Sequence, residues 1–134
     1  MLLELLEKGY GSAMDLNCAE KILYGANWAY DLKLSPEALK LAAGFGGGLG
    51  VGSVCGTITG AVMVLSHLYV QQYAHESGRI KVLEEEFITA FNQEFKCLDC
   101  KTLKAKYRTP QGKCDPLIFQ AAAILDGIVT RLGK

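Results

Sequence analysis

The sequence has no excess of charge of either sign. Its 14 Lys and Arg residues balance 14 Asp and Glu residues, so no overall field attracts nucleic acid or an anionic membrane. The amino end also lacks the apolar run of a secretory signal, because Glu4 and Glu7 interrupt it. We therefore expect a cytoplasmic protein with no nucleic-acid partner.

The motifs that bind phosphate are missing, although residues 46–60 read GGGLGVGSVCGTITG. A phosphate-binding loop needs a lysine after its last glycine, and neither Lys nor Arg occurs between Lys40 and Arg79. The spacing GxGxxG of dinucleotide-binding proteins also fails in every register. The glycines must therefore serve another purpose, and a flexible loop followed by tight helix packing is one alternative.

Asp, Glu, Lys and Arg are absent from Leu41 to Ala74, which raises the question of a membrane span. The most apolar part, roughly residues 54–70, is interrupted by glycine, threonine, serine and histidine and is short for the ~20 residues that a span needs. We therefore expect a buried central helix and no membrane span.

The hydrophobic periodicity is helical, and strand alternation is hardly visible. Apolar residues recur at i, i+3 and i+4 in AEKILYGANWAY, PEALKLAA, AVMVLSHLYV, VLEEEFITAFNQEF and PLIFQAAAILDGIVTRL. The sequence therefore predicts an all-α, single-domain bundle over residues 1–134, with five or six helices and a glycine-rich loop before the central helix.

Predicted helix starts coincide with cysteines. Asn17 and Glu20 have the spacing of a capping box around Cys18, and Ser35 before Pro36 marks another start. Ser53 is the expected cap of the helix that contains Cys55. Asp99 is expected to cap a turn that opens with Cys100, and Asp115 with Pro116 to open the last helix directly after Cys114.

This placement has chemical consequences. The start of a helix carries unpaired N–H groups and partial positive charge, which stabilise a thiolate. A thiolate is the nucleophile of disulfide exchange and also a metal ligand. Cytosolic cysteines are mostly reduced, so redox chemistry or metal ligation is favoured over structural disulfides. The alternative for each cysteine is that it packs as a small hydrophobic side chain.

Gly52, Gly56 and Gly60 recur at one-turn spacing around Cys55. On a helix they would leave one side bare, so that another helix or cysteine-bearing turn approaches Cys55 closely.

Together these motifs resemble the family of redox-active proteins named for the pattern C-GCAxxG-C-C. Residues 55–60, CGTITG, match its CGAxxG motif with Thr57 in place of alanine, and NCAEKIL supplies the first cysteine. Cys100 in CKTL fits the third cysteine and Cys114 the fourth, although the additional Cys97 leaves open which member of CLDC is the family position. The resemblance covers almost the whole chain and implies redox or metal chemistry.

Other constellations are weaker. Cys97 and Cys100 would share a face if both lay on a helix, and the basic residues of segment 101–113 either favour thiolates, meet an acidic partner or form a solvated face. His67 is expected in the core or at its rim and His75 on the surface. No ExxH pair for a di-iron site occurs.

The leading hypothesis is thiol–disulfide exchange or electron transfer, which would make the protein a thiol–disulfide oxidoreductase. Cys55 is the expected nucleophile and Cys18 its resolving partner, with Cys100 and Cys114 as a second pair. The expected partner is a redox protein or a small thiol, and a homodimer is compatible with the sequence.

The alternative from another class is a binding protein. In that hypothesis the thiolates of Cys18, Cys55, Cys100 and Cys114 hold a 2Fe–2S cluster or zinc, with Gly56 and Gly60 as candidate cofactor-binding residues. A structural protein with inert buried thiols is the third interpretation.

Overall fold

The helices of the protein surround one buried central helix. The structure is a computed structural model that describes residues 1–133, and within that range the chain forms seven α-helices and no β-strand. They are α1 (Leu2–Glu7), α2 (Cys18–Ala29), α3 (Pro36–Leu39), α4 (Gly56–Tyr69), α5 (Arg79–Phe95), α6 (Cys100–Tyr107) and α7 (Asp115–Leu132). The predicted all-α class is confirmed.

The prediction of five or six helices was slightly low because two short helices depend on contacts outside their own sequence. The helix α1 begins where the carboxylate of Asp126 accepts hydrogen bonds from the N–H groups of Leu2 and Leu3, both at 2.9 Å. The helix α6 is mostly polar, but it buries Leu103 and sets Tyr107 edge-on against Phe95 of α5, with ring centroids 5.0 Å apart. Tertiary anchoring of this kind stabilises helices that are marginal alone.

The central helix is α4, as the run without charge predicts. It contacts α2, α5 and α7, and its side chains Ile58, Val64 and Leu65 are buried. Across the described residues, no helix combines the length and apolarity needed to cross a bilayer.

Two parts of the predicted glycine face require correction. The helix α4 begins at Gly56, so Gly52 lies in the irregular turn before it, and Ser53 does not cap it because Cys55 itself occupies the N-cap position. Gly56 and Gly60 do face α2. A Cβ atom built on Gly56 would lie 3.3 Å from the Cβ of Cys18, which shows how closely the two helices approach.

Candidate functional site

Four helix N-termini carry one cysteine each. Cys18 and Cys100 are the first residues of α2 and α6, whereas Cys55 and Cys114 are the N-cap residues of α4 and α7. These positions agree with the expected coincidence of cysteines and helix starts. The fifth cysteine, Cys97, lies between α5 and α6, so Cys97 and Cys100 do not lie on one helix and the condition for a shared helix face is not met.

Local sequence fixes these starts. Asn17 accepts from the N–H of Glu20, and the Glu20 carboxylate accepts from the N–H of Asn17, both at 2.9 Å, which completes the predicted capping box before Cys18. The side chain of Asp99 accepts from the N–H of Thr102 at 3.3 Å and so caps the helix that Cys100 opens.

The glycine-rich segment wraps closely around Cys100. Gly48 has a φ of +61°, which favours glycine, and a Cβ atom there would come within 2.6 Å of the Cβ of Cys100. No other residue type fits at Gly48 without displacing either the glycine-rich segment or the start of α6.

A single backbone bridge aligns Cys55 with Cys100. Val54 and Asp99 pair in antiparallel fashion. On either side, the N–H of Cys55 donates to the carbonyl of Leu98 at 2.9 Å and the N–H of Cys100 donates to the carbonyl of Ser53. Two helices distant in sequence therefore begin side by side.

The structure brings Cys18, Cys55, Cys100 and Cys114 to the wall of one cavity of about 510 Å³, which Gly56 also lines. All four are free thiols. Cys97 and Gly60 do not line it: Cys97 accepts from the N–H of Asp99 at 3.3 Å, and Gly60 is buried against α2.

With this geometry in place, the comparison with known proteins is informative. The family model described as "Putative redox-active protein (C_GCAxxG_C_C)" matches residues 16–128, a range that includes every cysteine. The chain belongs to this family. No curated protein and no solved structure matches it. The resemblance drawn from the cysteine pattern is thus confirmed for this C_GCAxxG_C_C protein.

Cys18 and Cys114 lie close enough on the cavity wall for each to shift the pKa of the other. The Cys18 thiol lowers the pKa of Cys114 to about 6. The cations of Arg108 and Lys104 lower it further, because nearby positive charge favours a thiolate. The neighbouring Cys114, together with burial, raises the pKa of Cys18. These opposite directions favour the proton on Cys18 and the negative charge on Cys114.

The other two cavity thiols have the opposite character. Burial raises the pKa of Cys55, and its hydrogen bond to Thr57, with Sγ and Oγ1 3.0 Å apart, offsets only part of this effect. Burial likewise raises the pKa of Cys100, although Lys104 opposes it. The expected activation of Cys55 by its helix start is therefore not observed, because desolvation outweighs the helix field at a side chain only 2% exposed.

From the sequence, three polar residues near the cysteines had no single assigned role. Thr57 is fully buried beside Cys55, and its substitution for the family's alanine was the available signal. Lys104 and Arg108 belong to the basic segment 101–113, and only the fold shows that these two residues line the cavity. His67 binds the carbonyl of Leu32 at 3.0 Å and His75 is exposed, so neither joins the cysteines.

Metal ligation is the alternative chemistry for these thiols. Over residues 1–133, no three Cys, His, Asp or Glu side chains converge into a group that could hold a metal ion. The four thiols share a cavity wall, and Cys18 and Cys114 each shift the pKa of the other.

Proposed function

We propose that the protein transfers electrons by thiol–disulfide exchange, with Cys114 as the nucleophile and Cys18 as the resolving thiol. The observation that carries this proposal is the Cys18–Cys114 pair: both residues line one cavity, and the cations of Arg108 and Lys104 beside them lower the pKa of Cys114. An attacking thiol is most effective when its pKa is near the ambient pH, a condition that Cys114 approaches and the buried Cys55 does not.

The reaction balances without a further reagent. The Cys114 thiolate attacks a substrate disulfide, forms a mixed disulfide and releases one half of the substrate as a thiolate. Cys18 then gives its proton to the second half as that half leaves, and its sulfur attacks the sulfur of Cys114. The substrate disulfide gains two electrons, and the pair is oxidised to a Cys18–Cys114 disulfide. Run backwards, the same steps oxidise a dithiol.

Cys55 and Cys100 form the second pair in this proposal. The backbone bridge holds their helix starts next to each other, and both thiols face the cavity that contains the first pair. Exchange between the two pairs would reduce the Cys18–Cys114 disulfide and oxidise Cys55 and Cys100, so that electrons pass within the protein. This arrangement modifies the pairing predicted from the sequence, in which Cys55 was matched with Cys18.

Trapping tests the proposal. C18A should accumulate a mixed disulfide with a small disulfide such as oxidised glutathione, and peptide mass spectrometry should locate it at Cys114. C114A should trap little at Cys18, because burial still raises the pKa of that thiol after Cys114 is removed. A trapped adduct at Cys55 instead of Cys114 would contradict the assignment.

The same preparation tests the binding alternative. Protein purified without oxygen should be colourless and contain no stoichiometric iron or zinc. Visible absorption that disappears in C55S, together with stoichiometric metal, would overturn thiol exchange in favour of a metal or cluster carrier.

A further inference from the structure

The cavity that holds the cysteines is also lined by charged side chains, and their balance is positive. The positively charged residues are Lys21, Lys104, Arg108 and Lys113, and the negatively charged ones are Asp15 and Asp115. Lys21 is engaged with Asp115 at 3.6 Å. Among the described residues, Lys104, Arg108 and Lys113 form no ion pair, so three cations face the single free carboxylate of Asp15.

The fold places two of these cations, Lys104 and Arg108, close to the sulfur of Cys114. Lys104 lies in the last turn of α6, Arg108 is the residue that ends this helix, and both line the cavity. Both lie near enough to Cys114 to act on its charge. Lys106 of the same helix is different, since its Nζ lies 5.6 Å from the ring centre of Tyr107 and it does not line the cavity.

The loop after α6 completes the basic rim. Thr109 and Lys113 exchange two backbone hydrogen bonds of 3.1 and 2.8 Å, and the hydroxyl of Thr109 accepts from the N–H of Gly112 at 2.9 Å. These bonds define the turn between Arg108 and Cys114, so the guanidinium and the sulfur are held at the same end of the cavity.

The size of the cavity indicates the size of its occupant. At about 510 Å³ it lies within the range of about 300–1,000 Å³ typical of small-molecule sites. A guanidinium binds a carboxylate through two parallel hydrogen bonds, which gives both affinity and orientation.

We propose that the substrate of this cavity is a small disulfide that carries a carboxylate on each half, and that Lys104 and Arg108 bind a carboxylate while Cys114 attacks the adjacent sulfur. This inference rests on the proposed exchange reaction and names its substrate class. In the first step the Cys114 thiolate displaces one carboxylate-bearing thiolate and forms a mixed disulfide with the other half. Cys18 then closes the protein disulfide and releases that half as a thiol.

Three disulfides with the same two-methylene spacer between the sulfur and the end group test the proposal: 3,3′-dithiodipropionate, 2-hydroxyethyl disulfide and cystamine, which end in carboxylate, hydroxyl and ammonium groups. The rate of mixed-disulfide formation by reduced protein at pH 7 is measured for each. Every rate is divided by the rate at which the same disulfide reacts with an uncharged small thiol. This division removes the intrinsic reactivity of the disulfide. Using the ratio of carboxylate to hydroxyl substrate also cancels any change in the thiolate fraction of Cys114.

We expect this ratio to be about tenfold in the wild type, since each exposed cation contributes roughly a factor of two to five. It should fall towards one in K104Q/R108Q and stay unchanged in K106Q, which removes one charge from the same helix away from the cavity. It should also decline between low and high salt, because exposed charges are screened. The salt series requires no variant and so does not depend on how the double variant folds.

The two levels of proposal fail differently. If none of the three disulfides forms an adduct at Cys114 in C18A or oxidises the Cys18–Cys114 pair of the wild type, the exchange reaction itself is wrong. If all three react at similar normalised rates, or if K104Q/R108Q keeps the wild-type ratio, exchange stands and the anionic substrate is overturned. A preference for cystamine would likewise overturn it.

Discussion

Gly60 lies directly against the backbone of Ala19: a Cβ atom at Gly60 would come within 2.8 Å of the Ala19 carbonyl oxygen. Because that neighbour is backbone, it cannot rotate away. This contact sets the distance between α4 and α2 and thereby the position of Cys18 on the cavity wall.

G60A should therefore destabilise the protein by about 1–3 kcal/mol through overpacking, as measured by urea unfolding. G127A is the matched control, since Gly127 also lies inside a helix but has nothing within 4 Å of its Cβ position. There the higher helix propensity of alanine should raise stability by about 0.5–1 kcal/mol. Equal effects of the two substitutions would show that α2 and α4 tolerate separation.

The rate of alkylation of Cys114 should depend on pH as expected for a thiol with a lowered pKa. Reduced protein should show a half-maximal rate at Cys114 near pH 6, the value to which its pKa is lowered. Because alkylation requires the thiolate, the rate should rise with pH up to about 7 and then level off, whereas an ordinary thiol would keep rising beyond pH 8.

Two substitutions of Cys18 separate the sources of that shift. C18A removes the donor and should move the midpoint for Cys114 upwards, whereas C18S retains a hydroxyl donor and should move it less. A wild-type midpoint at about pH 8.5 or above, the value of a free thiol, would contradict the assignment of Cys114 as the nucleophile.

Asp126 anchors α1 to α7. Its carboxylate accepts from the N–H groups of Leu2 and Leu3 and from the hydroxyl of Tyr30, the last at 2.7 Å. D126A should cost about 1–3 kcal/mol, because it leaves several donors without their acceptor, and should increase hydrogen exchange across residues 2–7. Y30F removes only one of these bonds, so it should cost less and leave the exchange of α1 protected. Unchanged exchange in D126A would mean that apolar packing alone holds α1.

Cys97 and Cys100 should behave differently although they are neighbours in sequence. Cys100 lines the cavity and Cys97 does not, so C97S should leave the rate of exchange at Cys114 within about a factor of two. C100S should abolish the second protein disulfide, as counted by mass spectrometry after oxidation. Loss of that disulfide in C97S, with C100S unaffected, would reverse the assignment of the two cysteines.

The sequence by itself determined the helical class and the placement of the cysteines at helix starts. Those features depend on interactions within about four residues, such as the Asn17–Glu20 capping box and the cap formed by Asp99, and such local interactions can be read from spacing. The family pattern added the expectation of redox chemistry.

Tertiary structure alone decided which thiols lie at one cavity and in which direction their pKa values shift. Cys18 meets Cys114 because α2 and α7 begin at the same cavity, and Lys104 and Arg108 act on Cys114 because α6 docks through Leu103 and Tyr107. Cys55 has an equally favourable position at a helix start, yet its burial raises its pKa. Desolvation depends on every element packed around a side chain, so spacing along the chain carries no record of it.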